Sequence, residues 1–245
     1  MGLPGVGSHL PQNGDMATPG AVPFDYDSNP DRYRMGSKLS NDHSRINLYA
    51  RVAARLTGAD LVLDVGCAEG VLCEAMPDKR LIGLDMSMPF LRNHPAPRIQ
   101  ANATAIPFRD NTFDGVTAVN MLYHLTDPRP ALKEAKRVLK PGGVMIAATI
   151  ARTDSPEFAG YRTRPPTTFD AEEAPEIVRD VFGEVEVDAW DAPLLTLPTK
   201  ASIRDYLLVR RVSREAADKA AQELDVPLSV TKRGAMANRS KACLT

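Results

Sequence analysis

Beyond residue 60, short apolar runs alternate with segments whose apolar residues recur every three or four positions. The apolar runs predict strands at residues 61–65, 80–85, 98–102, 113–120, 143–150 and 184–190, and a last strand at about 229–240. The helical spacing predicts helices over about 130–139 and 170–182. Because alternating strands and helices are typical of a parallel sheet covered by crossover helices, the pattern predicts an α/β domain.

The N-terminal part of the chain departs from this alternation. Residues 1–24 are rich in Gly and Pro, and we expect a disordered tail there because they offer few apolar groups to bury. Residues 25–58 predict an arm followed by one helix from about Ser40 to Leu56.

A second departure lies late in the chain, within the main domain of residues 59–245. Residues 200–224 predict two short helices with a break near Ser213. An insertion at this point of a doubly wound sheet usually lies over the carboxyl ends of the strands, where ligands bind. We therefore expect residues 200–224 to cover the acceptor side of a binding site.

Composition narrows the classes of partner. The 245 residues include 30 Lys and Arg against 31 Asp and Glu, a formal net charge of −1, so no general positive field attracts nucleic acid or anionic lipid. The three cysteines match neither a disulfide framework nor a zinc site. The chain shows no secretory signal and no apolar run long enough to span a bilayer. We expect a soluble, cytoplasmic protein that binds no metal, nucleic acid or membrane, and the sequence leaves its oligomeric state open.

The segment LVLDVGCAEG carries the clearest chemistry. An apolar strand ends in Asp64 and passes at once into a loop of small residues between Gly66 and Gly70, which lets backbone approach a ligand. The next strand ends in Asp85, which is well placed to accept hydrogen bonds from ribose hydroxyls. This pair predicts a nucleoside site. A dinucleotide fingerprint fits less well, because Ala68 and Val71 stand where it has its second and third glycines.

The loop resembles the D-x-G-x-G-x-G motif of class I S-adenosylmethionine-dependent methyltransferases. Three further segments resemble that family in the same order: LIGLDMS, ANATAIPFRDNTFDGVTAVNMLYHL and ALKEAKRVLKPGGVMIAATI. The resemblance covers roughly residues 60–150 and is to the type 11 small-molecule branch, with its quinone- and antibiotic-biosynthetic enzymes. It implies S-adenosyl-L-methionine as the cofactor. It also implies a Rossmann-like seven-stranded sheet of order 3-2-1-4-5-7-6 whose last strand is antiparallel.

The resemblance also implies which residues contact the cofactor. Asp64 and Asn120 would lie near its methionine end and Asp85 on its ribose, while Met86 would line the adenine face. The full set of implied contacts is Tyr33, Asp64, Gly66, Cys67, Ala68, Gly70, Asp85, Met86, Asn102, Ala103 and Asn120. Two of these depart from the family pattern, because Ala68 replaces a usual glycine and Asn102 a common Asp. One methyl group is tolerable, and an amide carbonyl still accepts from an adenine amine.

The run Asn120-Met121-Leu122-Tyr123 bears on the acceptor. It lacks the proline pair of methyltransferases that act on exocyclic amines of DNA bases, which together with the acidic charge balance favours a small, largely apolar acceptor. The candidate acceptor contacts are Tyr26, Tyr123 and Tyr206.

Two roles stay open at this point. His124 stands at the predicted end of the fourth strand, where its neutral imidazole could take a proton from the acceptor as general base, or could only pack or orient. Tyr26 and Tyr33 precede the N-terminal helix, where one could hydrogen-bond the cofactor carboxylate or both could anchor the arm.

The sequence therefore predicts a small-molecule methyltransferase of bacterial secondary metabolism. Two alternatives remain. In the first, the same cofactor serves an enzyme in which methylation is coupled to cyclisation, or in which the sulfonium charge acts without transfer. In the second, the chain is a non-catalytic S-adenosylmethionine-binding protein. The acceptor, and the choice among oxygen, nitrogen and carbon methylation, stay open.

Overall fold

The computed structural model describes residues 29–239, so the predicted tail and Tyr26 lie outside the described residues. One seven-stranded sheet forms the centre of the fold, in the order 3-2-1-4-5-7-6 that was predicted, and only the last strand is antiparallel to its neighbours. Its strands are β1 (Leu61–Val65), β2 (Arg80–Asp85), β3 (Arg98–Gln100), β4 (Phe113–Val119), β5 (Leu139–Ile150), β6 (Glu186–Leu197) and β7 (Leu228–Arg239).

Helices cover both faces of the sheet. They are α1 (Pro30–His43), α2 (Leu48–Arg55), α3 (Val71–Ala75), α4 (Met88–Leu91), α5 (Arg129–Val138), α6 (Ala174–Phe182), α7 (Lys200–Leu208) and α8 (Arg214–Glu223). The apolar faces of α5 and α6 pack with Leu63 on one side of the sheet, and α2 and α3 pack with Val62 on the other. Both faces of β1 are therefore buried, which explains why its sequence is almost continuously apolar.

The predicted single helix over 40–56 is wrong: the structure has two helices, α1 and α2, with a break between them. In the break, Ser44 forms a β-bridge with Leu195. The Asn47 side chain then caps α2 by accepting from the Ala50 amide at 3.1 Å. The break is thus set by a partner far along the chain, which the helical spacing of apolar residues cannot show.

The predicted start of the fifth strand is also corrected. That strand was expected over 143–150, but β5 begins at Leu139, directly after α5, and includes the run Pro141-Gly142-Gly143. The pairing of β4 with β5 shifts register between Phe113 and Gly115, which accommodates the irregular run.

The insertion of residues 200–224 starts at the carboxyl edge of the sheet. Because β7 is antiparallel to both β5 and β6, β6 runs in the same direction as β5, and its end at Leu197 lies at the carboxyl edge of the sheet. The helices α7 and α8 follow from that edge, and Ser213 caps α8 by accepting from the Ala216 amide at 3.2 Å. Their apolar faces form a core of their own with Phe158. Within residues 29–239, no helix combines the length and the apolar character needed to cross a membrane.

Candidate active site

A crevice is expected at the carboxyl ends of β1 and β4, because the strand order reverses at β1 and the connections leave in opposite directions. The loop from Gly66 to Gly70 follows β1 here. Gly66 and Gly70 have φ of 72° and 86°, and Ala68 has φ of 46°, all in the left-handed region. Ala68 therefore adopts the backbone of the glycine it replaces, at a modest conformational cost.

Asp85, at the end of β2, holds this loop in place. Its Oδ2 accepts from the Ala68 amide at 2.9 Å, and its Oδ1 accepts from the Ser87 amide at 2.8 Å. The carboxylate thus fastens the loop after β1 to the strand next to it. Each carboxylate oxygen can accept a further bond, which leaves Asp85 able to serve the ribose as well.

His94 is buried and packs against the glycine loop, a role that the sequence did not indicate. The side chain is 2% exposed, and its Nδ1 is within hydrogen-bond distance of the Ala96 amide at 3.2 Å. A Cβ added to Gly83 would lie 2.4 Å from His94 Nε2 and 2.7 Å from Cys67 Sγ. Gly83 is therefore needed to make room for the ring and the thiol under the loop.

Cys67 belongs to this packing rather than to nucleophilic chemistry. Its side chain is buried, and burial strongly raises the pKa of the thiol, with the charges of Asp64 and Asp85 acting in the same direction. The thiol therefore stays protonated at neutral pH, and only the thiolate is a nucleophile.

Asp64 is a buried carboxylate at the end of β1. It is 3% exposed and accepts from Thr117 Oγ1 at 2.6 Å. Burial and, to a smaller extent, the Asp85 charge raise its pKa to about 7, although the hydrogen bond from the Thr117 hydroxyl acts in the opposite direction. Thr117 lies opposite Asp64 in the β1–β4 register, so its role can be recognised only once the strand pairing is known.

Asn120 follows β4 with φ of 53°, and its amide donates to the Ala148 carbonyl oxygen at 2.8 Å. Its side-chain Oδ1 is buried and finds no hydrogen-bond partner among the described residues. A buried oxygen without a donor is costly unless a ligand supplies one. The methionine ammonium of S-adenosylmethionine is such a donor, so the residues present fit this cofactor.

The predicted adenine contacts lie along the same edge. Met86 is 61% exposed, which is unusual for a large apolar side chain and fits a residue that a ligand would cover. Ala103 is buried. Asn102 is exposed, and its Oδ1 accepts from the Thr104 amide at 2.9 Å in a local turn. One further acceptor position on that oxygen remains for an adenine amine.

His124 lies just beyond β4, in a short 3-10 helix (Leu122–His124), and its ring centroid is 4.4 Å from that of Tyr123. The side chain keeps exposed surface, yet the protein atoms around the imidazole desolvate it and lower its pKa to about 4. The imidazole is therefore neutral at pH 7 and can accept a proton, although as a weak base.

The N-terminal helix α1 is fastened to the same edge. The Tyr33 ring lies 4.7 Å from the Phe90 ring, and Arg34 donates to Glu69 Oε1 of the glycine loop at 2.7 Å. Tyr49 of α2, which the sequence analysis passed over, has a pKa well above its usual value because of burial, with Tyr33 and Asp64 adding to the effect. Tyr49 thus lies in the electrostatic neighbourhood of the predicted cofactor residues.

The prediction that Tyr206 lines the acceptor pocket is corrected by its burial. Its side chain is 1% exposed inside the core of the insertion, stacked on Phe158 at 5.3 Å between ring centroids. Its hydroxyl is within 2.7 Å of Ser155 Oγ and accepts from Lys232 Nζ at 3.0 Å. A fully packed ring with a satisfied hydroxyl holds the insertion together and offers no surface to a ligand.

Comparisons with known proteins agree with this geometry. Residues 63–147 match the family described as methyltransferase domain. The chain is 38% identical over 109 residues to demethylmenaquinone methyltransferase of Renibacterium salmoninarum, which covers 42% of this chain and 45% of that protein. It is 34% identical over 112 residues to ubiquinone biosynthesis O-methyltransferase of Actinobacillus pleuropneumoniae, covering 38% and 46%.

Not every relative carries a methyltransferase name. The chain is 34% identical over 121 residues to arginine-hydroxylase NDUFAF5 of Danio rerio, covering 44% of this chain and 38% of that protein. The chain thus spans about half the length, or less, of these curated relatives. The whole protein's activity consequently has to be argued from its own site.

Solved structures share the fold over most of the chain. The cyclase SpnF has a TM-score of 0.62 at 19% identity, covering 88% of this chain and 94% of that one. A methyltransferase of Methanosarcina mazei has a TM-score of 0.54 at 16% identity, covering 80% and 99%. Sheet order, glycine loop and matched family agree: the chain carries a class I S-adenosylmethionine-dependent methyltransferase domain, whose cofactor is S-adenosyl-L-methionine.

Proposed function

We propose that the protein transfers the methyl group of S-adenosyl-L-methionine to a small molecule bound at the carboxyl edge of the sheet. The observation that carries this proposal is the buried, unpartnered Oδ1 of Asn120 beyond the end of β4. It lies at the same edge as Asp64, the last but one residue of β1, and Asp85, the last residue of β2. These three side chains present acceptor oxygens to a ligand that carries an ammonium group and ribose hydroxyls.

The cofactor, when bound, supplies an electrophilic methyl group on a sulfonium. Asp64 and Asn120 would hold the ammonium at the methionine end, and Asp85 would accept from the ribose hydroxyls. Methyl transfer by displacement needs little covalent help from the protein, so alignment of donor and acceptor and exclusion of water carry most of the catalysis. The insertion of α7 and α8 lies at the edge where it can shield an acceptor.

His124 would act on the acceptor's proton. A base whose pKa is about 4 cannot ionise a hydroxyl group in advance, because that transfer is strongly uphill. It can take the proton as the new bond forms, since methylation makes the acceptor hydroxyl or amine much more acidic. Tyr123, whose ring packs against the imidazole, would orient His124.

The acceptor class follows from the chain around the site. The absence of a proline pair after Asn120 and the net charge of −1 favour a small, largely apolar molecule over a nucleobase. The names of two relatives, demethylmenaquinone methyltransferase and ubiquinone biosynthesis O-methyltransferase, refer to quinones, which supports a small-molecule acceptor. The segment LSVTKRGAMA resembles the closing strand of some bacterial natural-product methyltransferases, which supports a place in secondary metabolism.

A labelled donor tests the proposal. The protein is incubated with trideuteromethyl S-adenosylmethionine and a bacterial metabolite extract, and the mixture is searched by mass spectrometry for a molecule that gains one labelled methyl group. We expect such a product with the wild type and, at a donor concentration near the wild-type Kd, much less of it with Asp85→Ala. A wild type that binds S-adenosylhomocysteine but labels nothing, and instead alters a metabolite without mass gain, would replace methyl transfer by chemistry that uses only the sulfonium charge.

A further inference from the structure

A cluster of charged side chains surrounds Tyr206 beneath the insertion. Lys232 donates to Asp154 and to the Tyr206 hydroxyl. The positive charge of Lys232 and the negative charge of Asp154 are therefore paired with each other. Arg210 lies over the Tyr206 ring, with its guanidinium carbon 3.4 Å from the ring centroid, and donates only to the Tyr206 carbonyl oxygen at 3.0 Å. Arg162 belongs to the same cluster, because its amide donates to the Phe158 carbonyl oxygen at 2.9 Å and the Phe158 ring stacks on Tyr206.

Neither Arg162 nor Arg210 forms an ion pair in the part of the chain that the structure describes, and Asp154, whose charge acts on both, is already paired with Lys232. Within residues 29–239, no carboxylate lies within ion-pair distance of either guanidinium, and Arg162 makes no hydrogen bond through its side chain. Arg164, two residues further along, shows the contrast: it pairs with buried Asp170 at 2.7 Å. Burial and the nearby charge of Arg210 both lower the pKa of Arg162. Two half-buried cations that repel each other are costly to keep without a counter-ion.

The position of the pair connects it to the proposed acceptor site. The loop that carries Arg162 leaves β5 at the carboxyl edge of the sheet, directly beside β4. Further along the same loop, Thr168 Oγ1 donates to the Leu125 carbonyl oxygen at 2.6 Å, one residue after His124. The loop therefore joins the surroundings of His124 to the underside of α7.

A purely structural role explains Arg210 better than Arg162. The stacking of Arg210 on Tyr206 and its backbone bond tie the end of α7 to the core of the insertion. Arg162 makes no comparable bond to the protein, and a residue kept for packing alone would be more stable without its charge. The excess positive charge is explained if a ligand supplies the missing anion.

We propose that Arg162 and Arg210 form an anion subsite that binds a carboxylate or phosphate group of the methyl acceptor. The inference rests on the proposed function and adds to it: the acceptor is an otherwise apolar molecule with an anionic group remote from the methylated atom. The paired guanidiniums would fix that end beneath α7 and so orient the other end toward His124 and the cofactor.

Pyrophosphate and benzoate serve as probes of the subsite, since they represent the two anion classes. Thermal unfolding of the S-adenosylhomocysteine-saturated protein is followed with each anion at constant ionic strength, with chloride as the reference. We expect a saturable rise of Tm in the wild type, with a midpoint concentration at least about tenfold higher in Arg162→Gln and in Arg210→Gln. The anion with the lower midpoint identifies the class.

Arg204→Gln is the matched control, because Arg204 is on α7 as well, is partly exposed and already faces Asp205 and Asp218. It should respond to the anions as the wild type does. Without any anion, Arg162→Gln should unfold at the same or a higher temperature than the wild type. A wild type with no saturable response, or an Arg162→Gln variant that binds the anions equally well, overturns the subsite. S-adenosylhomocysteine affinity, measured in the same variants, should stay unchanged whichever result appears, so failure of the subsite is separable from failure of the proposed function.

Discussion

The Asp85 carboxylate accepts a hydrogen bond from the Ala68 amide at 2.9 Å, so the acid that ends β2 fixes the loop that follows β1. The two halves of the predicted nucleoside site are therefore connected before any ligand binds. A residue expected to contact only ribose thus has a structural role as well, and a substitution there changes both the loop and the binding surface.

Asp85→Ala should weaken S-adenosylhomocysteine binding and also lower protein stability. Loss of charge-assisted hydrogen bonds to the ribose is expected to cost on the order of 1.5–3 kcal/mol of binding free energy. Loss of the bonds from the Ala68 and Ser87 amides should lower Tm. Calorimetric titration and thermal unfolding measure the two effects. Asp180→Ala, an exposed acid on α6, is the control and should change neither the affinity nor, beyond a small effect, the Tm.

Asp64→Asn should stabilise the ligand-free protein above neutral pH while it weakens cofactor binding. The folded-state pKa of Asp64 is raised from 3.8 to about 7, so the protonated form is favoured by folding. The contribution of protonated Asp64 to the stability of the fold is fully present below about pH 4 and is lost as the pH rises through about 7. The free energy of unfolding of the wild type should therefore fall relative to that of the variant over this range, by an amount on the order of a few kcal/mol.

Denaturant unfolding of the two proteins at a series of pH values measures that difference. If the two unfolding free energies run parallel from acid to neutral pH, Asp64 is not a protonated buried acid in the free protein. A bound ammonium favours the ionised form, so wild-type affinity for S-adenosylhomocysteine should also rise with pH through about 7, whereas that of Asp64→Asn should be lower and flatter.

Gly83→Ala should lower stability because its Cβ would lie 2.4 Å from His94 Nε2 and 2.7 Å from Cys67 Sγ. Overpacking of this kind costs about 1–3 kcal/mol. Combining it with His94→Ala should give a smaller loss than the sum of the two single changes, since the first clash is removed. Gly58→Ala, where the added carbon meets nothing within 4 Å, is the matched control and should be neutral in thermal unfolding. Additive losses would mean that His94 does not limit the space at Gly83.

His124→Ala should lower methyl-transfer turnover by about 10²–10⁴-fold if His124 is the base, with cofactor affinity nearly unchanged. Because the pKa of His124 is depressed from 6.5 to about 4, the neutral form dominates at all pH values well above that point. The wild-type rate should then be insensitive to this group between about pH 6 and about pH 8 and should fall only toward acid pH. A variant that keeps most of the turnover, with the acid limb unaltered, would leave His124 a packing role.

Elements whose bounds follow from local apolar patterns were predictable from the sequence. Bounds that depend on contacts between distant parts of the chain were not. The bounds of β1 and β2 follow directly from their apolar runs, since central parallel strands are buried on both faces. The break between α1 and α2 depends on the bridge from Ser44 to Leu195, about 150 residues away in the chain. No local pattern records such a pairing.

The site residues likewise divide into those that local motifs indicate and those that only the folded structure reveals. Motif spacing and family resemblance pointed to Asp64, Asp85 and Asn120, because each lies at or just after the end of a strand, at one edge of the sheet. Thr117 could not be found this way, since its partner is fixed by the β1–β4 register. Arg162 is in a polar loop without a motif, and its lack of a counter-ion is a property of the folded protein alone.

The most direct test of the account is a calorimetric titration of S-adenosylhomocysteine into the wild type and Asn120→Gly. Glycine tolerates φ of 53° better than Asn, so the variant should be at least as stable as the wild type while it lacks the unpartnered Oδ1. The account predicts one binding site in the wild type and an affinity at least about tenfold lower in the variant, with Tm unchanged or raised. No binding by the wild type, or equal affinities in the two proteins, would contradict it.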